Sequence, residues 1–181
     1  MNIEQTQVTT LKITDIDKLD PVTVYLEDHG PAEGTITFTC YGQSWSAYWG
    51  GMGDQTIAEF FCSCDHHYIA SKVSSLPIAV VDEAALHAFA LNAVKQRLDS
   101  GEIDADEAEE IRGRIEFHGL SEVAGNEDLL CDAVGGEWWH YLPEKTNPDY
   151  EYLCRVIDTV QDAIRQTLLP APASKAEGMT P

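Results

Sequence analysis

The chain has 181 residues, 44% of them hydrophobic, with 31 acidic residues against 11 basic ones and a formal net charge of −20. That length suits one domain or one domain with a small appendage, and the apolar share is enough for a core, which excludes global disorder. The charge excludes direct binding to nucleic acid or to an anionic membrane, since both demand basic patches.

The opening MNIEQTQVTT has no basic region followed by an apolar one, so it does not read as a signal peptide. No apolar run approaches the roughly 20 residues that span a bilayer, and a soluble cytoplasmic protein is expected. Five cysteines without regular spacing read, in a reducing compartment, as small buried apolar residues. The acidity is spread as −7 over residues 1–80, −6 over 81–120 and −7 over 121–181, so it is no detachable tail.

Val8 to Ile13 is the first expected strand, followed by a turn from Asp15 to Pro21 and a second strand from Val22 to Leu26. Glu27 to Gly34 reads as a loop from its Gly, Pro and Asp content. From Thr35 the alternation is clean, with Ile36, Phe38 and Cys40 on one face and Thr35, Thr37 and Thr39 on the other. Gln43 to Trp49 alternates again, Trp45, Ala47 and Trp49 against Ser44, Ser46 and Tyr48. The short joins predict an antiparallel meander with one face on a core.

Gly50-Gly51-Met52-Gly53 supplies a turn, and Asp54 is placed to cap a helix beginning near Thr56, inward at Ile57, Phe60, Phe61 and Cys64. Asp65 restarts a second short helix, with Tyr68 and Ile69 inward, which Ser74 to Pro77 breaks. Asp82 to Leu98 reads as a strong helix with Leu86, Phe89, Ala90 and Ala93 on one side. Asp104 is the expected cap of a helix reaching Phe117, with Ala108, Ile111 and Ile115 inward. Asn126 to Val134 is a further short helix ended by Gly135-Gly136, and Trp138 to Pro143 reads as an aromatic strand or extended segment.

The last helix opens at Asn147-Pro148 and carries Leu153, Val156, Ile157, Val160, Ile164 and Leu168 on one face. The expected fold is α+β, a small antiparallel β-meander in the N-terminal part packed against several α-helices. It forms a single domain over residues 1–168, with the sheet at about 8–49 and a disordered tail at 169–181.

The stretches YWGGMGDQTIAEFFCSCDHHYI and WWHYLPEKTNPDYEYLCR, within a likeness covering about half the chain, resemble accessory proteins of lambdoid phages and prophages of enteric bacteria. The resemblance brings no catalytic residues to transfer. It implies a setting, since small phage proteins of this kind modulate or block host systems.

Cys62-Ser63-Cys64-Asp65-His66-His67 is the densest set of metal-ligand types. Cys62 with His66, or Cys64 with His67, would share a helix face and supply half a zinc site, the rest coming from Cys40, Cys131, Cys154 or His140. The competing reading is core cysteines beside surface histidines. A thiol nucleophile at Cys64 needs a nearby cation to lower its pKa, and the surrounding field is negative. The glycine run is no phosphate loop, for no Lys-Ser/Thr follows it. Trp45/Trp49 and Trp138/Trp139 lack the neighbouring cations of a base-stacking platform and read as core or protein-interface aromatics.

The acidic run is the strongest functional candidate: Asp99, Glu102, Asp104, Asp106, Glu107, Glu109 and Glu110, with no base among them. Helical spacing would put Glu102, Asp106 and Glu109 or Glu110 on one side. A helical turn rises about 5.4 Å and duplex phosphates advance about 3.4 Å per strand step, so such carboxylates suit a groove built for a nucleic-acid backbone. The sequence therefore predicts a non-enzymatic, cofactor-free inhibitor that binds a basic surface of a host protein or nucleoprotein complex, of CRISPR or restriction type. Two readings stand beside it: a metal-binding or thiol-dependent enzyme centred on Cys62–His67, and an acidic structural or regulatory protein whose charge serves solubility.

Overall fold

The computed structural model describes residues 1–3, 5–120 and 125–168. The first elements are strands β1 Thr9–Ile13, β2 Val22–Gly30, β3 Glu33–Cys40 and β4 Gln43–Trp49, then helices α1 Ile57–Ser63 and α2 His66–Val73. After these come β5 Ala79–Val81, α3 Leu86–Ser100, α4 Ala105–His118, α5 Glu127–Val134, β6 Glu144–Thr146 and α6 Pro148–Thr167. The fold class is α+β, and the chain divides into two compact units: Met1–Leu76 with the segment from Pro148, and Pro77–Asn147 between them in sequence. The expected disordered tail, 169–181, lies outside the described residues. No helix among the described residues is long and apolar enough to cross a membrane.

In the first unit the four strands form an antiparallel meander in the order β1-β2-β3-β4. Its inner face is the alternation the sequence predicts. Leu11, Val24, Phe38 and Trp45 pair across all four strands, and Phe38 and Trp45 stack with ring centroids 5.6 Å apart. Trp45 and Trp49 are buried, so this pair belongs to the core. The β3–β4 turn places Tyr41 and Gly42 at φ 47° and 76°, the two left-handed positions of a tight hairpin turn.

The segment expected as a loop, Glu27 to Gly34, is mostly strand. Glu27 pairs with Thr35 and Asp28 with Gly34, an irregularity falls between Asp28 and Gly30, and only Pro31 and Ala32 are left to turn. Local composition favoured a loop there, but the neighbouring backbone offered a ladder that continues the hairpin.

The helix after the glycine run begins at Ile57, as expected, but Asp54 is not its cap. Thr56 is: its side chain accepts from the Glu59 amide while Glu59 Oε2 accepts from the Thr56 amide at 2.9 Å. Asp28 Oδ1 takes the Ile57 amide at 2.7 Å, so three amides at the helix start are met without Asp54. This junction is tight at Gly34, where a Cβ would lie 2.9 Å from the Ile57 Cβ and from the Glu27 carbonyl oxygen. Asp65 caps α2 as predicted, accepting from the Tyr68 amide at 2.9 Å. Ile69 is buried, whereas Tyr68 is 36% exposed, its hydroxyl accepting from Trp49 Nε1.

Helix α6 buries Leu153, Val156, Ile157, Val160 and Ile164 as the spacing predicts, while Leu168 lies beyond the helix and is exposed. The same face carries buried Gln161, whose Nε2 donates at 2.8 Å to the carbonyls of Phe61 and Cys64. Those are carbonyls at the end of α1 that have no intrahelical partner.

The second unit is helical. Leu86, Ala90 and Val94 of α3, Ala108, Ile111 and Ile115 of α4, and Leu129, Leu130 and Ala133 of α5 form its core. Helix α3 starts four residues later than the sequence suggested, because Asp82 to Ala85 are drawn into a turn: the Asp82 amide donates to the Pro143 carbonyl at 2.7 Å. Phe89 and Ala93 are half-buried, and Val94 takes the core position instead. Gly101, at φ 77°, ends the helix in the left-handed conformation.

Trp138 to Pro143 is not a strand. Trp138–His140 forms a 3-10 turn, and the pairing edge of β5 is taken by Glu144–Thr146. Asn147 closes the unit, its amide donating to the Ile78 carbonyl and its Nδ2 to the Pro77 carbonyl, each at 2.9 Å. The two ends of the insertion are thereby held together.

Candidate functional sites

The acidic run lies in the second unit, across the α3–α4 connection and the first turns of α4. All seven carboxylates are exposed, whereas Ile103 among them is buried and anchors the connection. Asp104 Oδ1 accepts from the Glu107 amide at 2.9 Å and is the α4 cap, as expected. Glu102 precedes the helix and pairs with Arg97 Nε at 3.3 Å, so it does not share a helical face with Asp106. Arg97 also donates to the Asp132 carbonyl, and Arg114 pairs with the Asp132 carboxylate at 2.6 Å. Asp99, Asp106, Glu107, Glu109 and Glu110 engage no partner among the described residues.

The burial of Ala108, Ile111 and Ile115 fixes the rotation of α4. At 3.6 residues per turn, Asp106, Glu109, Glu110, Gly113 and Phe117 then share the opposite, outer face. Phe117, at 85% exposure, ends that stripe with an aromatic ring. A Cβ at Gly113 would meet nothing within 4 Å, so the stripe has a flat spot between its carboxylates and its ring. Asp106 and Glu107 also lie in the first turn, where the helix dipole favours negative charge.

The Cys62–His67 segment lies in the first unit and is split by the end of α1. Cys62 Sγ donates to the Gln161 carbonyl at 3.5 Å, and Cys64 sits at the C-cap. Neither belongs to the one group of three potential metal ligands found among the described residues, which is His66, His67 and Cys154. Burial pushes the thiols of Cys62, Cys64 and Cys154 up, so each holds its proton and is a poor nucleophile. Cys40 is buried and bonds to the Tyr152 hydroxyl at 3.1 Å. That bond raises the Tyr152 phenol to about 12. Cys131 is exposed on α5, against the expectation that all five cysteines are buried.

Sequence reasoning counted Cys154 only as one of four possible supplements. The spacing that singles it out is on α6: Tyr150, Cys154 and Asp158 recur every four residues and form one stripe. Trp138 is half-buried, Trp139 is 53% exposed and Tyr141 64% exposed.

A family model described as a phage family, Phage_phiTE_072, matches residues 1–166. No curated protein matches the chain, and no solved structure does.

Proposed function

The chain belongs to this phage family, and from that premise we propose that it is a non-enzymatic, acidic accessory protein acting in the cytoplasm of an infected bacterium, of lambdoid and enteric type. It binds a basic surface on a host nucleic-acid-handling or defence complex, of CRISPR or restriction type, and inhibits it by standing in for a nucleic-acid backbone. The observation that supports this most is the outer face of α4. Carboxylates at Asp106, Glu109 and Glu110 are exposed and engage no cation among the described residues, so their charge is available to a partner.

Charge of this kind steers encounter and sets salt dependence, while a buried aromatic supplies affinity. Phe117 is the ring placed to do so, and Gly113 lets a partner's backbone approach between the two.

The test is capture from host lysate at low and at high ionic strength, with the wild-type chain and with the Asp106→Asn/Glu109→Gln/Glu110→Gln variant. A basic partner that is retained at low salt, lost at high salt and missed by the variant is expected. Capture that ignores both salt and the three substitutions sinks the reading and leaves the acidity to solubility.

A further inference from the structure

His66 and His67 open α2 immediately after its Asp65 cap, and both imidazoles meet the α6 stripe. Donor atoms of His66, His67 and Cys154 all lie within 4.8 Å of one another. His66 Nδ1 is 2.8 Å from Asp158 Oδ1, and His67 Nδ1 is 2.8 Å from the Tyr150 hydroxyl. The two imidazoles meet edge to face with centroids 4.4 Å apart, and the His67 ring stacks on Tyr150. Cys154 is 8% exposed and is a free thiol, whereas His67 is exposed. The cluster thus has a dry sulfur end and a wet imidazole end.

We infer that His66, His67 and Cys154 bind one zinc ion, leaving a fourth position open to solvent on the His67 side. Two imidazoles and one thiolate are a borderline-soft donor set that zinc takes in preference to the hard cations, which want oxygen. Three protein ligands with one open position is the pattern of an accessible zinc site.

The surroundings fit a cation. Asp158 holds the His66 ring by a carboxylate–imidazole bond, the outer partner that metal-bound histidines use to fix their orientation. Glu151 and Asp158 carry negative charge around Cys154, and Asp65 does so around the neighbouring Tyr150. Together they exceed the roughly half positive charge of the α2 N-terminus, which by itself would repel an ion.

Bonds of about 2.0–2.3 Å require the three donors to draw closer than they stand, and His67, exposed but bonded to and stacked on Tyr150, is the side chain that must shift. Binding exchanges a proton for the metal: the Cys154 thiol loses its hydrogen to solvent as the sulfur–zinc bond forms, and no electron is transferred. The ion would tie α2 to α6 within the first unit. This inference is independent of the acidic face.

The test uses the full chain, stripped with chelator and titrated with zinc chloride against a chromophoric chelator. One zinc per chain is expected, at micromolar affinity or tighter. Cobalt chloride in its place should give a thiolate-to-cobalt charge-transfer absorption and the visible bands of a four-coordinate ion. Asp158→Asn should weaken zinc about 10-fold, and His67→Ala or Cys154→Ser by more than the about 100-fold that an outer partner can cost. Cys62→Ser and Cys64→Ser should change nothing. Absence of saturable zinc binding overturns the inference, as does a cobalt spectrum without the thiolate band. Loss of zinc in Cys62→Ser or Cys64→Ser equal to that in Cys154→Ser overturns it too. The cobalt spectrum is read on the unaltered chain, so the result stands even where Cys154→Ser does not fold.

Discussion

The two units solve the problem of staying folded in opposite ways. The first closes an aromatic core, with Phe38, Phe61, Trp45 and Trp49 between a four-stranded sheet and the helices α1, α2 and α6. The second spans 77–147 and packs three helices through smaller side chains, Ala90, Val94, Ala108 and Ala133 among them. It nevertheless holds 16 acidic residues against 5 basic ones, while the longer first unit holds 15 against 6. Per residue the second unit carries nearly twice the net charge. Self-repulsion costs stability, and a single core of this size supplies only about 3–5 kcal/mol. Charge that served solubility alone would have no reason to concentrate on the unit least able to bear it. Its placement there, on an outward helix face, supports recognition.

The largest expected effects come from emptying each core in turn. Phe61, fully buried and edge-on to Phe38 at 6.2 Å, should cost about 3–5 kcal/mol as Phe61→Ala. Leu130→Ala in the second unit should cost about 2–5 kcal/mol. Hydrogen exchange read residue by residue should place each loss of protection in its own unit. Equal loss in both units from either substitution would erase the contrast between them.

A middle-sized effect is expected where the sheet unit's first helix begins. Thr56→Ala removes the cap and should cost about 1 kcal/mol by chemical denaturation. The bond from the Thr56 amide holds the Glu59 carboxyl below its ordinary range. A carboxyl depressed in the folded state contributes stability that is present above its unfolded pKa and is lost as pH falls through the folded one. Wild-type stability should therefore fall in that acid window, and Glu59→Gln, which has no carboxyl to titrate, should fall less; parallel curves would refute the Glu59 half of the box.

The smallest effect has the opposite sign. Gly113 is an exposed glycine inside α4 with open space at its Cβ, so Gly113→Ala should stabilise the second unit by about 0.5–1 kcal/mol. If that face docks a partner, the same substitution should weaken capture while it raises the melting temperature. A variant that is more stable and binds unchanged would detach Gly113 from recognition.

Features that depend on a few neighbouring residues were legible beforehand. Asp65 and Asp104 cap their helices because the acceptor and the amide it meets are three residues apart. The buried series Ile36, Phe38, Cys40 and the α6 stripe follow from periods of two and 3.6 residues that any solvent-facing sheet or helix must obey. Asp54 was a plausible cap and lost to Thr56, because Glu59 completes a reciprocal pair and Asp28 arrives from another strand.

Linear order by itself therefore determined the meander, the order of the helices, the inward faces of β3, α4 and α6 and the surplus of carboxylates. Tertiary structure alone decided that residues 27–30 join a ladder and that Glu144–Thr146 pairs with Ala79–Val81. It also decided that His66 and His67 meet Cys154 rather than Cys62 or Cys64. The reason is the range of the interaction. A cap or an amphipathic period is settled within a turn or two, while a ladder partner or a third ligand is supplied by chain dozens of residues away, and only the packed core brings it within reach.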